Sequence, residues 1–94
     1  MIRVQVKSSG AVNDILDREP YVLKEGATLL ELIREIGSRT GGNNFLNAML
    51  SKDGSGLACG AVVQRNGKES LNALETTLCD GDSLFIVILD LAGG

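Results

Sequence analysis

Apolar and polar residues alternate at the start of the chain, where Ile2, Val4 and Val6 are separated by polar side chains. This period of two predicts a strand with one buried face. A second strand is predicted over residues 21–24, and it ends before Gly26. Together the two segments predict an N-terminal hairpin with a long connection.

The period then changes to that of a helix. Thr28, followed three residues later by Glu31, is a capping-box pattern. Gly37 is predicted to end this main helix, and Asn44 is predicted to cap a short second helix. One face of the main helix is apolar at Leu29, Leu32, Ile33 and Ile36, and one side of the short helix is apolar at Phe45, Leu46, Met49 and Leu50.

The rest of the chain predicts three more strands. They are expected over residues 57–64, around residues 69–71 and over residues 83–89, with a tight Asn66-Gly67 turn between the first two. Leu74 and Leu78 are predicted core anchors of the following connection, which ends in an Asp80-Gly81-Asp82 turn. The final strand is apolar on both faces, which is typical of the middle of a sheet. The order of elements predicts an α+β fold, a mixed sheet of four to five strands packed on one main helix.

Length and charge narrow the class of protein. A chain of 94 residues fits one domain with a single core. Nine Lys+Arg against 12 Asp+Glu give a net charge of −3, which argues against a binder of nucleic-acid phosphates. No basic segment precedes an apolar stretch at the N-terminus, and the longest apolar run, residues 84–89, is too short for a membrane span. We therefore expect a cytoplasmic protein that binds neither nucleic acid nor membrane.

The side-chain inventory offers little catalytic chemistry. The chain has no histidine, which excludes Ser–His and Cys–His catalysis, and its only cysteines are Cys59 and Cys79. A protein-built zinc or iron–sulfur site is therefore not expected. Nothing marks the chain as secreted, so we predict two reduced thiols with a structural role rather than a disulfide.

The most informative segment is the last one. Residues 90–94, Asp-Leu-Ala-Gly-Gly, can extend about 17 Å from the body if they are unpaired. A terminal diglycine is also typical of frayed ends and expression scars. After the preceding pattern of strands and helix, however, we expect one domain over residues 1–89 and a flexible tail over residues 90–94.

Four segments in their order along the chain resemble the ThiS/MoaD family of ubiquitin-like sulfur carriers. They are Glu25-Gly26-Ala27-Thr28-Leu29, Asn66-Gly67, Leu78-Cys79-Asp80-Gly81-Asp82-Ser83-Leu84 and Ala92-Gly93-Gly94. The resemblance implies a β-grasp, or ubiquitin-like, fold over residues 1–89. It also implies a carrier, or co-substrate, rather than an enzyme, one that is a monomer when alone and that fits the role of the small non-catalytic subunit of a molybdopterin synthase-like enzyme.

By this resemblance, an E1-like adenylyltransferase uses ATP and Mg²⁺ to adenylate the carboxylate of Gly94. A sulfur donor then converts it to a thiocarboxylate, which supplies sulfur to a larger acceptor subunit or biosynthetic enzyme. No cofactor is bound by the carrier itself. Gly93, Ala92 and Leu91 would thread the partner's active site, since glycine has no Cβ to block a narrow channel.

Two points stay open at this level. The resemblance implies an apolar docking patch, for which Phe45 and Leu46 are candidates, although core packing is the alternative for Phe45. The second open point is the pathway, because members of this family supply sulfur in different biosynthetic pathways. The chain departs from the family pattern because it lacks the proline that many members have shortly before the diglycine. Its extra residues around 41–56 and in the first connection favour a molybdopterin-type over a thiamine-type carrier. The alternatives are a ubiquitin-like modifier joined through Gly94 to target lysines, and a β-grasp docking module.

Overall fold

The computed structural model describes residues 1–8, 16, 19–40 and 44–88. These ranges contain a five-stranded sheet and two helices. The elements are β1 (Ile2–Ser8), β2 (Tyr21–Leu23), α1 (Leu29–Thr40), α2 (Asn44–Met49), β3 (Ala61–Arg65), β4 (Glu69–Ser70) and β5 (Ser83–Ile88). The predicted tail, residues 90–94, lies outside the described residues, so the division into domain and tail stays a prediction.

The strands lie in the order β2-β1-β5-β3-β4. The two central strands, β1 and β5, are parallel, with Val6 beside Leu84 and Lys7 beside Phe85. All other neighbouring strands are antiparallel. The predicted α+β fold with a mixed sheet of four to five strands is therefore confirmed, and the first and last strands lie side by side in that sheet.

A single apolar core lies between the helices and one face of the sheet. The inward residues of β1 and β5 are almost fully buried, which satisfies the alternation along β1. The apolar stripe of α1 is also fully buried, and the two predicted anchors, Leu74 and Leu78, are buried in the same core. Burial of this stripe is the main reason that α1 is stable, because a helix of 12 residues is marginal in water by itself.

The start of α1 follows the predicted capping pattern. The hydroxyl oxygen of Thr28 accepts a hydrogen bond from the backbone N–H of Glu31 at 3.4 Å. The N–H groups of Leu29 and Leu30 donate to the carbonyls of Thr76 and Leu74 at 2.9 and 3.0 Å. Since these N–H groups have no acceptor within the helix, the connection before β5 supplies the carbonyl acceptors for the first turn.

The predicted end of α1 is wrong. The helix continues through Gly37 to Thr40, and Gly37 has a packing role instead. A Cβ on Gly37 would lie 2.8 Å from Cγ of Leu46, so the missing side chain is what lets α2 approach α1. Arg39 in the last turn supports the extension, because its guanidinium pairs with Glu35 at 2.9 Å and lies 4.7 Å from the ring centroid of Tyr21.

The predicted start of β3 is also wrong, since the strand begins at Ala61 rather than at Leu57. Leu57 forms an isolated bridge with Leu50, and the N–H of Ala58 donates to the carbonyl of Met49 at 2.8 Å. The apolar residues before Ala61 therefore pair with the end of α2 and not with the sheet.

The loop between α2 and β3 is closed by side-chain hydrogen bonds. The carboxylate of Asp53 accepts bonds from the hydroxyls of Ser51 and Ser55, at 2.7 and 2.8 Å, and from the N–H of Ser55 at 3.0 Å. These hydrogen bonds lower the pKa of Asp53 to about 2, and the bond from the hydroxyl of Ser51 contributes most to the change.

The turn between β3 and β4 forms as predicted. Asn66 and Gly67 have φ angles of 54° and 72°, the positive values that a tight two-residue hairpin requires. Return strand β4 ends at Ser70, and the buried Leu71 follows it. Neither helix of the described residues has the length and apolar character needed to cross a bilayer.

Candidate functional site

The site begins with the position of β5 in the sheet. This strand has β1 on one side and β3 on the other, and its last residue, Ile88, pairs with Ala61. The predicted site residues of the tail, Leu91, Ala92, Gly93 and Gly94, lie outside the described residues. Their proposed roles therefore stay predictions, and the geometry described here ends where β5 ends.

The face of the sheet opposite the helices carries an apolar patch on β5. Phe85 is 40% exposed, and in register it lies between Lys7 of β1 and Gln64 of β3. Val87 pairs with Val62 one step closer to the end of the strand, and both are half-buried. We call these five residues, Lys7, Val62, Gln64, Phe85 and Val87, the outer-face patch. It adjoins the end of the strand from which residues 89–94 continue.

Phe85 differs from the other aromatic residues of the chain. Tyr21 is fully buried and Phe45 is only 4% exposed, and both belong to the core. Of the two roles that the sequence left open for Phe45, core packing is the one observed, and an exposed docking role is not. Leu46 is half-buried and packs against Gly37 and the core, so it does not form an exposed docking patch with Phe45.

The sequence contained a signal for Phe85 that the prediction did not use. The apolar residues on both faces of the final strand predict a central position, and the order of strands confirms it. Only one main helix was predicted, however, and one layer of helix covers one face of a sheet. The second apolar face of a central strand must then be exposed or covered by a partner, and Phe85 is on that face.

A cluster of charged side chains holds the opposite end of β5. The guanidinium of Arg65 donates to the carboxylate of Glu69 at 2.9 Å, to the carbonyl of Thr77 at 3.1 Å and to the carboxylate of Asp82 at 3.4 Å. Asp82 is buried and also accepts the N–H of Cys79 at 2.9 Å. The hydrogen bond to Glu69 is the main cause that raises the pKa of Arg65. The start of β5 is thus tied to β3 and to the preceding turn.

The two cysteines are free, as predicted, but both are exposed. The structural role predicted for them is therefore wrong, since neither thiol fills the core. Cys59 lines an open groove of about 650 Å³ that also contacts Lys52 and Ile88. Among the described residues, no three His, Cys, Asp or Glu side chains come together as a metal site.

Neither a protein-family model nor a curated protein matches this sequence. The structure, however, is similar to solved structures of small proteins. Two are of small archaeal modifier protein 1 from Haloferax volcanii. One has a TM-score of 0.72 at 19% identity and covers 93% of this chain and 97% of that one. The other has a TM-score of 0.71 at 20% identity, over 98% and 99% of the two chains.

A third similar structure is the putative molybdopterin converting factor subunit 1 from Pyrococcus furiosus. Its TM-score is 0.65 at 23% identity, and the match covers 96% of this chain and all of that one. At these identities the likeness establishes the fold. The protein therefore has the ubiquitin-like β-grasp fold of these small proteins, and the resemblance inferred from the sequence is confirmed at that level.

Proposed function

We propose that this protein is a ubiquitin-like sulfur carrier that works through the carboxylate of Gly94. The observation that carries the proposal is the arrangement of β5. This strand exposes an aromatic side chain on the outer face of the sheet and then leads, three residues after Phe85, to the end of the described chain. A docking surface and a terminal diglycine are thus parts of one segment, as a protein that presents its C-terminus to another enzyme requires.

The chemistry explains why the carrier needs partners. A carboxylate is a poor electrophile, so the E1-like adenylyltransferase first joins Gly94 to the AMP part of ATP and releases pyrophosphate. A sulfur nucleophile from the donor then displaces AMP and leaves a thiocarboxylate. Gly93 and Gly94 present no Cβ, which allows the backbone to enter a narrow active site. The acids, bases and Mg²⁺ of these steps belong to the partners, and this chain acts as a co-substrate in the cytoplasm.

The acceptor is proposed to be a larger subunit or biosynthetic enzyme of the molybdopterin type. The similar fold of a molybdopterin converting factor subunit supports this choice over a thiamine-type acceptor. A second candidate function is protein modification, in which a target lysine displaces AMP from the same adenylate. It is favoured by the similar fold of an archaeal modifier protein. Both functions begin with the same step.

Intact-protein mass spectrometry tests the proposal. The protein is incubated with MgATP, an E1-like enzyme from the same source and a sulfur donor, and a variant lacking Gly94 is the matched control. We expect a gain equal to replacement of one oxygen by sulfur, absent from the control. A lysine-linked adduct without sulfur would favour the modifier, and no change with a competent enzyme would favour a docking module.

A further inference from the structure

The groove that Cys59 lines is an open edge of the core at the end of β5. We call it the Cys59 groove. Its floor consists of half-buried apolar side chains that pack against the core: Leu50, Leu57, Ala58 and Ile88. Two positions before the last of these, on the same side of the strand, Ile86 is fully buried. The helices therefore cover the sheet incompletely at this end of β5.

The last described residue of the chain is part of the Cys59 groove. Ile88 lies in its lining, and six residues follow in the sequence, 89–94. The pairing of β5 with β3 ends here, because residues 58–61 form a turn in which the N–H of Ala61 donates to the carbonyl of Ala58 at 3.0 Å. Six extended residues reach at most about 20 Å. The groove has a volume of about 650 Å³, within the range of about 300–1,000 Å³ that is usual for ligand sites.

The polarity and charge of the tail match those of the groove. In the tail, Leu89 and Leu91 flank Asp90. The groove has an apolar floor, and Lys52 is the one charged residue among the described residues that line it. Lys52 is exposed and has no carboxylate partner within the described part of the chain. The carboxylate of Asp53, its neighbour in sequence, accepts hydrogen bonds from serine hydroxyls instead.

We propose that the Cys59 groove is an internal docking site for the chain's own tail, residues 89–94. Leu89 and Leu91 lie on its apolar floor. The carboxylate of Asp90 between them pairs with the ammonium group of Lys52. An extended segment alternates its side chains between two sides, so the leucines can face the floor while the aspartate faces the exposed cation. Burial of the leucines stabilises this closed form, and the lost conformational freedom of the tail opposes it by a similar amount, so closed and open forms coexist.

The closed form has a consequence for activation of the terminus, and this consequence rests on the proposed function. A tail that is held against its own domain cannot enter the active site of another protein. Only the open form is then adenylated, and the apparent KM rises by the reciprocal of the open fraction. The Cys59 groove thereby sets how much of the protein is ready for activation.

Alkylation of Cys59 measures whether the groove is occupied. In a Cys79→Ser background, the reaction with iodoacetamide, an uncharged reagent, is followed by intact-protein mass spectrometry. In a Cys59→Ser background, the same measurement reports on Cys79, an exposed thiol in the turn that precedes β5, which is the matched control. Leu91→Ser should raise the rate at Cys59 about fivefold, because it opens the groove, and should leave the rate at Cys79 within about twofold of the wild type.

Reversal of the charge at Lys52 is a second test. Lys52→Glu should raise the rate at Cys59 about threefold by releasing the tail, whereas a new carboxylate by itself disfavours the reactive thiolate and slows the reaction. The double variant Lys52→Glu/Asp90→Lys should restore the slow rate, since the pair is rebuilt with its charges exchanged. Lys68→Glu makes the same change of charge at an exposed position between β3 and β4 and should have no effect.

Three outcomes of the thiol measurements would overturn the inference. They are a rate at Cys59 that neither Leu91→Ser nor Lys52→Glu changes, a slower rate for Lys52→Glu, and a rate that falls as the protein concentration rises. The last result would mean that the tail of a second copy occupies the groove.

The effect on activation is measured separately, with MgATP and the E1-like adenylyltransferase from the same source. Lys52→Glu should lower the KM for adenylation about threefold, because more of the protein is open, and Lys68→Glu should leave it unchanged. An unchanged KM for Lys52→Glu would contradict the link between the groove and activation. If the wild type is not adenylated, the proposed function fails, whereas the thiol measurements need neither ATP nor enzyme and decide on the groove by themselves.

Discussion

Replacing each phenylalanine by alanine should separate folding from docking, because Phe45 and Phe85 differ mainly in exposure. Phe45 is 4% exposed and packs in the core, so Phe45→Ala should lower the free energy of unfolding by about 3–5 kcal/mol. Phe85 is 40% exposed and lies outside the core, so Phe85→Ala should cost only about 1 kcal/mol, mostly through lost contacts with neighbouring strands. Urea denaturation followed by circular dichroism measures both values.

The two substitutions should have the reverse order of effect on the KM for adenylation of this protein by the E1-like enzyme. A phenylalanine presents about 200 Å², so the exposed part of Phe85 corresponds to about 80 Å². Burial of this area in an interface contributes about 2 kcal/mol at 25 cal/mol per Å², which is about 30-fold in KM for adenylation. Phe45→Ala should leave KM unchanged at temperatures where the variant is folded. Equal losses of stability, or an unchanged KM for Phe85→Ala, would refute the assignment of these two residues.

Three further predictions concern the fold. Gly37→Ala should lower the free energy of unfolding by about 1 kcal/mol, because steric conflict with Leu46 exceeds the gain in helix propensity. In a Leu46→Ala background the same change should become stabilising. A destabilisation of equal size in both backgrounds would contradict the packing role of Gly37. Arg65→Met should lower the free energy of unfolding, measured in urea, by about 2 kcal/mol, because the carboxylate of Asp82 stays buried without its cation. A loss below about 0.5 kcal/mol would show that the charged cluster does not hold the start of β5. The pKa of Asp53 is lowered to about 2, so the ionised carboxylate stabilises the fold above the unfolded pKa near 4, and this stabilisation is lost as the pH falls towards 2. The difference in urea midpoint between the wild type and Asp53→Asn should therefore shrink over this range. A difference that stays constant would contradict the role of the Asp53 carboxylate.

Local patterns predicted the elements that local rules control. The alternation along β1, the cap at Thr28 and the two positive φ angles at Asn66-Gly67 each depend on neighbouring residues, and the structure contains all three. Gly37 was misassigned because the sequence shows only that a glycine is present. A glycine ends a helix in one context and admits a second helix in another, and only the position of Leu46 decides between them.

The features of the candidate site also fall into those that the sequence determines and those that the tertiary structure determines. The sequence by itself determined the terminal diglycine, the absence of histidine, the net charge and the order of strands and helices that leads to a β-grasp fold. Only the tertiary structure decided that Phe45 is in the core and Phe85 is on the surface, with Lys7 beside it. The physical reason is that exposure depends on which sheet face the helices cover, and the register that brings Lys7 next to Phe85 joins residues 78 positions apart in the chain.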